Sequence, residues 1–265
     1  MKKVSVHALR AMKGAEKIAM LTAYDAQTAS FLEAAGIPVI LVGDSVGTTQ
    51  LGYSNTIPVT LDDMIHHTAA VVRGVTSSFV IADLPFMTYQ LSVEQALASS
   101  GRLLQETGCD AVKLEGGAFR APTVRALVDN GIPVCAHIGL TPQSVKAIGL
   151  RVQGRGAEAA DRLFADALAL EEAGAFAIVL EGIPAPLAAR ITAALKIPTI
   201  GIGAGPDCDG QVLVVSDLLG LGGAYNPKFA KRYAEIGAAI TVAAAAYKSD
   251  VLSGAFPDAD HSYLE

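Results

Sequence analysis

Short apolar runs without polar alternation recur along the chain, and this pattern restricts the fold more than any other feature. Runs of Val, Ile, Leu and Ala of this kind are typical of parallel strands that are buried on both faces. An unpaired carboxylate is costly inside such a sheet, so ionisable groups are expected only where the strands end. Five runs do end on a group that can bind a metal or move a proton: VILVGDS at Asp44, FVIADLP at Asp83, AVKLEGG at Glu115, PVCAHIG at His137 and AIVLEGIP at Glu181.

A repeated joint connects helical segments to these runs. It consists of a Gly-containing turn, often followed by Pro, and then an apolar strand, as in AAGIPVILVGDS and DNGIPVCAHIGL. Gly suits the left-handed end of a helix, and Pro favours an extended chain before it. Strands are therefore predicted near residues 18–24, 38–43, 79–83, 111–115, 133–137, 176–181, 198–203 and 211–216. Eight strands are the number that closes a barrel.

Helix starts agree with this division. Thr60 and Ser92 each precede an acid or an amide by three residues, and Thr141-Pro142 offers an N-cap followed by Pro. The alternation of strand and helix favours an α/β fold of the (β/α)8 TIM barrel type over an open doubly wound sheet. A length of 265 residues with 51% hydrophobic residues fits one barrel of about 250 residues. We predict one domain over residues 1–265, with a mobile tail at about 250–265.

The composition excludes several classes of partner. A net charge of -6 and a pI of about 5.4 argue against nucleic acid and anionic membranes, which need clustered Lys and Arg. Apolar stretches are interrupted before 18 residues, and the N-terminus lacks the pattern of a signal peptide, so a cytoplasmic protein is expected. Three widely spaced cysteines, Cys109, Cys135 and Cys208, suggest neither a disulfide framework nor a zinc cluster.

Three of the strand-end acids predict a metal site. Asp44, Asp83 and Glu115 would place hard oxygen ligands on separate rigid strand ends, an arrangement that suits Mg²⁺ and leaves positions for water and substrate. The alternative for each acid is that it caps the following helix or pairs with Arg. The same topological position of all three favours the metal.

The remaining candidates surround these acids. Lys113 points the same way as Glu115, because the two residues are two positions apart on one strand. It could pair with a substrate carboxylate, balance the acids or form a Schiff base. The Schiff base is disfavoured because neighbouring carboxylates raise the pKa of an amine. Glu181 could abstract a proton beside a carbonyl or cap a helix. His137 could donate to substrate or be structural. Ser45 adjoins Asp44 in the polar, glycine-rich connection 43–60, which is typical of a lid or substrate frame.

Ten blocks in order carry a resemblance to a known family, and they extend over nearly the whole chain. They are MLTAYDAQTA, GDSVGTTQLGY, PVTLDDMIHHTAAVVRG, IADLPFMTY, VKLEGG, AHIGLTPQ, LEGIP, GIGAGPDCDGQVLV, SDLLG and PKFAKRY. Together they resemble the ketopantoate hydroxymethyltransferase family. The departures are Ala230, where a larger apolar residue is common, and the unmatched end of the chain.

This resemblance implies a barrel enzyme related to phosphoenolpyruvate mutase and isocitrate lyase. It would move a one-carbon unit from methylenetetrahydrofolate to 2-oxoisovalerate in pantothenate biosynthesis, through a metal-stabilised enolate, and would assemble as a homodecamer. The family's metal ligands match Asp44, Asp83 and Glu115, and its general base matches Glu181. Its substrate contacts match Asp44, Ser45, Asp83 and Lys113. His137 is a further candidate contact, predicted from its position at a strand end and not from the resemblance.

Two other functions are compatible with a barrel of this kind. A carbon-carbon lyase of the isocitrate lyase type would be expected to carry a catalytic cysteine in a loop, whereas Cys135 falls within the predicted fifth strand. A non-catalytic scaffold would have little reason to keep ionisable groups at five strand ends.

Overall fold

The structure is a computed structural model that describes residues 3–222 and 227–263. The chain divides into two compact units, one extending to Val214 and the other beginning at Val215. The first unit contains a closed barrel of eight parallel strands in chain order. The strands are β1 Ile18–Thr22, β2 Val39–Val42, β3 Phe79–Asp83, β4 Ala111–Glu115, β5 Val134–Gly139, β6 Ala177–Glu181, β7 Thr199–Ile202 and β8 Gly210–Leu213.

Helices connect the strands of the first unit. They are α1 Val6–Met12, α2 Ala26–Ala34, α3 Val46–Thr49, α4 Leu61–Arg73, α5 Val93–Thr107, α6 Ala121–Asp129, α7 Val145–Ile148, α8 Ala157–Glu172 and α9 Ala185–Ala194, with short 3-10 helices at Ala118–Arg120 and Pro142–Ser144. The (β/α)8 barrel predicted from the alternation of strand and helix is confirmed.

The barrel interior is a packed apolar core below the rim. Inward-facing side chains from neighbouring strands lie in register, as in the pairs Met20 with Val39 and Val179 with Ile200. Leu9 of α1 belongs to the same buried cluster. Because the lower interior is filled, only the carboxyl ends of the strands are left to hold polar groups.

The predicted strands match to within two residues at each end, except at the end of the eighth strand, where the difference is largest. β3 and β4 have the predicted bounds, 79–83 and 111–115. The eighth strand is Gly210–Leu213 and not 211–216, because its ladder with β1 ends at the pair of Leu21 and Leu213. Val215 already begins a helix.

Two of the three predicted helix starts have the expected caps. The Thr60 side chain accepts from the Asp63 N–H while Asp63 reaches back to Thr60, so the capping box is complete. The Ser92 side chain accepts from the N–H of Gln95. Thr141 makes no side-chain cap, and a 3-10 turn follows it at Pro142–Ser144. That turn brings Gln143 into contact with Asp44 and Glu115 at the barrel mouth.

The second unit is mostly helical. It contains α10 Val215–Leu218, the 18-residue α11 Ile236–Ser253 and a 3-10 turn at Ala259–His261. None of the helices in the described parts of the chain has both the length and the apolarity needed to cross a membrane. The single domain over 1–265 and the mobile tail at about 250–265 stay predictions, and residues 264 and 265 of that tail lie outside the described residues.

Candidate active site

The barrel brings the five predicted strand-end groups to one rim. Asp83, Glu115 and Glu181 are the last residues of β3, β4 and β6, and His137 lies within β5. Asp44 follows the end of β2 by two residues. All but Glu181 are buried. A continuous polar layer therefore closes the apolar interior at the carboxyl ends of β2 to β6.

Lys113 lies at the centre of the acids on β3 and β4. Asp83 and Lys113 are opposite each other in the strand register, and Lys113 Nζ lies 3.1 Å from Asp83 Oδ1. The other Asp83 oxygen, Oδ2, accepts from the Asp44 N–H at 3.0 Å. Asp83 thus ties the end of β2 to β4 through one main-chain bond and one buried ion pair.

His137 connects Lys113 to Glu181. Lys113 Nζ lies 3.3 Å from His137 Nδ1, and an ammonium has only donors, so Nδ1 is the acceptor and Nε2 carries the proton. Nε2 lies 3.2 Å from Oε2 of Glu181, close enough to interact although the angle is not that of a full hydrogen bond. Burial, followed by the charge of Lys113, lowers the pKa of His137 and favours this neutral form.

Glu181 differs from the other acids in its exposure. Its side chain is 15% exposed, against 5% for Glu115 and 4% for Asp83. It is held near His137 partly by the close approach of β5 to β6. Gly139 has φ +99°, and a Cβ at this position would lie 2.2 Å from the Glu181 carbonyl oxygen. Only Gly fits here, and Glu181 reaches the open side of the mouth.

Ser45 also lies at the rim, next to Asp44. Its hydroxyl is 2.8 Å from the hydroxyl of Tyr24, a buried residue that follows β1. Gly43 leaves room for this arrangement, because a Cβ there would lie 2.8 Å from the Ser45 hydroxyl. Ser45 is therefore held in place and remains partly exposed toward the mouth.

Gln143 is a site residue that sequence reasoning missed. Its side-chain Nε2 donates to Asp44 Oδ2 at 2.9 Å, and its main-chain N–H donates to Glu115 Oε2 at 3.1 Å. Tyr89, also missed, donates its hydroxyl to Gln143 Oε1 at 2.7 Å. The only available signal was the place of Gln143 directly after the strand that carries His137.

The electrostatics of the rim show an excess of negative charge. Burial, together with the charge of Asp83, raises the pKa of Asp44 to about 7. Burial and the charge of Asp44 also raise the pKa of Glu115 well above its usual value. Burial alone would lower the pKa of Lys113, but the charges of Asp83, Glu115 and Asp44 raise it. A raised pKa keeps the Lys113 amine protonated at neutral pH, and this disfavours a Schiff-base role.

The donor groups at the rim suit a divalent cation in charge and chemistry but do not form a complete set of ligands. Among residues 3–222 and 227–263, no three His, Cys, Asp or Glu side chains are arranged to hold one ion together. Mg²⁺, however, usually takes one or two carboxylates and completes its shell with water and substrate oxygens. Asp44, Asp83 and Glu115 face a single ammonium, and Asp83 Oδ1 lacks an aligned hydrogen bond. The residues fit a divalent cation in charge and chemistry, while the three-ligand set stays a prediction.

Cys135 bears on the lyase alternative. It lies in β5, is fully buried, belongs to the apolar cluster of the barrel interior, and is opposite Lys113 in the strand register. Burial raises the pKa of its thiol to about 12, despite the opposing charge of Lys113. A thiol of this kind is inert at neutral pH, so the cysteine chemistry of that alternative has no support at this position.

Comparison with known proteins identifies the family. The model of the ketopantoate hydroxymethyltransferase family matches residues 3–259. The chain belongs to this family. A 3-methyl-2-oxobutanoate hydroxymethyltransferase of Chloroflexus aurantiacus is 61% identical over 247 residues, which cover 93% of this chain and 88% of that one. One of Moorella thermoacetica is 56% identical over 263 residues, covering 98% of both. Family membership makes the protein an enzyme of the hydroxymethyltransferase class.

Solved structures place the fold in a wider group. Phosphonopyruvate hydrolase superposes with a TM-score of 0.64 at 16% identity, covering 100% of this chain and 92% of that one. A 2,3-dimethylmalate lyase of the phosphoenolpyruvate mutase and isocitrate lyase superfamily gives 0.62 at 18% identity, covering 98% and 92%. These similarities show the fold alone, and they confirm the barrel type expected for the family.

Proposed function

We propose that the protein transfers a hydroxymethyl group from methylenetetrahydrofolate to 2-oxoisovalerate (3-methyl-2-oxobutanoate) and so forms ketopantoate for pantothenate biosynthesis. One observation carries the proposal: the partly exposed side chain of Glu181 stands beside a buried group of acids that surrounds the Lys113 ammonium. Such a site can bind a small anion and remove a proton from it. The names of the two relatives support the choice of substrate.

Substrate binding falls to the charged and polar groups at the centre of the rim. Lys113 supplies a fixed positive charge for the substrate carboxylate, and Ser45 supplies a hydroxyl that Tyr24 holds in place. Asp44 and Asp83 complete this side of the pocket. His137 is a substrate contact in the sequence prediction, and here we assign it mainly to the orientation of Glu181.

Deprotonation is assigned to Glu181. The carbon between the two methyl groups of 2-oxoisovalerate is acidic because it adjoins the ketone, and Glu181 is the rim carboxylate most open to the mouth. The Nε2–H of His137 faces Glu181 Oε2 at 3.2 Å and orients this carboxylate at the mouth. A positioned carboxylate contributes about 10²–10⁴-fold to such a step.

A divalent cation is part of the proposal. Asp44, Asp83 and Glu115 would hold Mg²⁺, directly or through water, and the bound ion would supply the Lewis acidity that acidifies the substrate and stabilises its enolate. A phosphonopyruvate hydrolase with the same fold has been crystallised with oxalate and Mg²⁺. The excess of buried carboxylates over cations at this rim supports the assignment.

Carbon-carbon bond formation follows deprotonation. One of the two C–N bonds of the folate methylene opens first, its nitrogen takes up a proton, and an iminium remains at the other nitrogen. The substrate carbon attacks this iminium carbon. Water then supplies the hydroxyl group as the second C–N bond breaks, and the proton that water releases goes to the second nitrogen. Tetrahydrofolate then leaves. Water has to be excluded from the barrel mouth until the carbon-carbon bond has formed. The connection 43–60 would provide this exclusion by covering the mouth.

Assembly and location extend the proposal. We propose a homo-oligomer, a decamer by family resemblance, in the cytoplasm. Support for self-association comes from α11, which exposes Ile240, Val242 and Leu252 along an apolar helix. No partner other than small molecules and further copies of the chain is proposed, and neither nucleic acid nor membrane is included.

One assay tests the function. Purified protein is given 2-oxoisovalerate and methylenetetrahydrofolate, and ketopantoate is measured with Mg²⁺ and with EDTA. Formation of ketopantoate that EDTA abolishes and Mg²⁺ restores is the expected result. Absence of product under all metal conditions would overturn the proposal, whereas product that resists EDTA would overturn the metal alone.

A further inference from the structure

The amide of Gln143 makes every hydrogen bond that its side chain can make. Its two N–H groups donate to Asp44 Oδ2 and to the Leu84 carbonyl oxygen, each at 2.9 Å. Its oxygen accepts from the Tyr89 hydroxyl at 2.7 Å and from Gln90 Nε2 at 3.1 Å. Gln143 is only 5% exposed. A buried amide with four partners is strongly fixed in position.

The orientation of this amide is also fixed. If the amide were turned over, its oxygen would face the carboxylate of Asp44 and the carbonyl of Leu84, and its N–H groups would face two donors. Tyr89 adds to the constraint, because its hydroxyl accepts from the Glu115 N–H at 3.2 Å while it donates to Gln143. The donor side of Gln143 therefore points at Asp44.

Gln143 contacts two acids through different groups. The side chain binds Asp44, and the main-chain N–H binds Oε2 of Glu115. These acids come from β2 and β4, which are not neighbours in the sheet. The short 3-10 turn Pro142–Ser144, which follows β5, thus joins carboxylates from two other strands. Neither acid has Lys113 as its hydrogen-bonded partner, since Lys113 pairs with Asp83.

We propose that Gln143 is a positioning residue that holds the Asp44 and Glu115 carboxylates in the arrangement that a divalent cation requires. The inference rests on the proposed function, because it takes Asp44 and Glu115 as groups that serve the cation. Gln143 does not contact the reacting atoms. It fixes which oxygen of each acid is occupied by a donor and which oxygen remains for another partner, as outer-sphere residues do in metal sites.

Two variants separate the side chain from the main chain. Gln143→Met has a similar length and removes all four side-chain hydrogen bonds, whereas Gln143→Asn keeps an amide that is one methylene too short to reach Asp44. Both retain the main-chain N–H that binds Glu115. Gln95→Met is the matched control, because Gln95 also uses both ends of its amide, to the Leu91 N–H and the Met87 carbonyl, and contacts no acid.

The first measurement is the dissociation constant of Mn²⁺ for the full-length protein, by calorimetry or electron paramagnetic resonance. We expect both Gln143 variants to bind Mn²⁺ about 10–100-fold more weakly than the parent, and Gln95→Met to bind it within about twofold. Gln95 is partly exposed, and its variant reports the loss of amide hydrogen bonds away from Asp44 and Glu115. The comparison therefore separates an effect at these two acids from a general effect of the substitution.

The second measurement needs no metal. Crystals of the metal-free Gln143 variants should show the Asp44 carboxylate displaced, with Glu115 in its parent position because its main-chain donor remains. Folded variants that bind Mn²⁺ within twofold of the parent, with Asp44 unmoved, would overturn the inference. So would failure of both variants to fold, since Gln143 would then serve the fold itself. If the parent binds no Mn²⁺, the proposed metal fails, and the position of Asp44 still decides the role of Gln143.

Discussion

Asp83 and Lys113 face each other across β3 and β4, and their side chains form a buried ion pair of 3.1 Å. Their exposed fractions are 4% and 7%. Among residues 3–222 and 227–263, Lys113 is the Lys or Arg whose pKa the charges of Asp83, Glu115 and Asp44 all raise, so it balances more charge than that of Asp83 alone. Removing one partner of a buried pair leaves an uncompensated charge, and this is where a substitution should have its largest effect.

Lys113→Met should destabilise the metal-free protein by about 3–5 kcal/mol, because the methionine keeps the apolar stem and removes the charge. Binding of 2-oxoisovalerate should also weaken, since a charge-assisted contact to its carboxylate is lost. Urea unfolding in EDTA and calorimetry with 2-oxoisovalerate measure the two effects.

Arg102→Met is the control for this experiment. Arg102 forms ion pairs with Asp62 and Glu106 on the surface, where water screens the charges. Its free energy of unfolding should change much less than that of Lys113→Met, and substrate binding should not change. Equal losses of unfolding free energy in the two variants would show that the buried Asp83–Lys113 pair contributes no more to stability than the surface ion pairs of Arg102.

Glu181→Gln should retain substrate binding and lose deprotonation. The amide keeps the shape of the side chain but is not a base, so the rate should fall about 10²–10⁴-fold. Exchange of the branched-carbon hydrogen of 2-oxoisovalerate in deuterated water, without folate, isolates this step and can be followed by NMR.

The control is Glu33→Gln, which makes the same chemical change at a glutamate that binds the segment before β3, at the end of this strand opposite the rim. It should exchange the substrate hydrogen at the parent rate. If Glu181→Gln also exchanges at the parent rate, the base is another residue.

The positions of the strands followed from the sequence because each strand is a short apolar run with a marked joint before it. β3 and β4 have their predicted bounds, since Asp83 and Glu115 end both the apolar pattern and the ladder. The end of β8 was misplaced. The run around Val212 to Val215 remains apolar past Leu213, and only the length of β1 opposite it decides where pairing stops.

The site was predicted less completely than the fold. Alternation along parallel strands was enough to bring Asp83, Lys113 and Glu115 to one rim. The contacts of Gln143 with Asp44 and Tyr89 depend on how a turn after β5 folds back over β2 and β3, and they join residues up to 99 positions apart. Pro142 and Thr141 suggested a helix start there, but a local signal of this kind carries no information on distant partners.

Asp44→Asn should have opposite effects on stability and on metal binding. The parent carboxylate is destabilised by burial and by the charge of Asp83, so the neutral amide should stabilise the metal-free protein at pH 8 by about 1–3 kcal/mol. Mg²⁺-dependent binding of 2-oxoisovalerate should fall, because an anionic ligand is lost. Thermal unfolding in EDTA and calorimetry with Mg²⁺ measure these changes, and unchanged metal-dependent affinity would contradict the assignment of Asp44.

Glu33 should make the fold sensitive to acid. Burial alone would raise its pKa, but hydrogen bonds from the N–H groups of Ser78, Ser77 and Thr76 lower it to about 2. A lowered folded pKa stabilises the protein above the unfolded value of 4.5, and this contribution is lost as the pH falls toward 2. Because the carboxylate is partly exposed, we expect about 1–2 kcal/mol.

Unfolding by urea at pH 7 and at pH 3 tests this contribution. Glu33→Gln should be less stable than the parent at pH 7, and the difference should shrink at pH 3. Glu16→Gln, which changes an exposed glutamate, is the control and should follow the parent at both values of pH. A Glu33→Gln protein that loses stability with acid as steeply as the parent would contradict the prediction.

The connection from Gly43 to Pro58 should become ordered over the bound substrate. It carries Asp44 and Ser45 at its start, the short helix α3, and an exposed tip at residues 52–54. A loop that begins with site residues and ends in solvent can close on microsecond to millisecond timescales and shield an intermediate from water.

Amide hydrogen exchange with and without Mg²⁺ and 2-oxoisovalerate is the measurement. Protection should increase across residues 43–58 when both ligands are present, because closure adds contacts at the tip as well as at the base. Residues 74–78, which lead into the opposite end of β3, should not change. If protection increases only at the strand ends, the connection is a fixed wall of the pocket and water is excluded by other means.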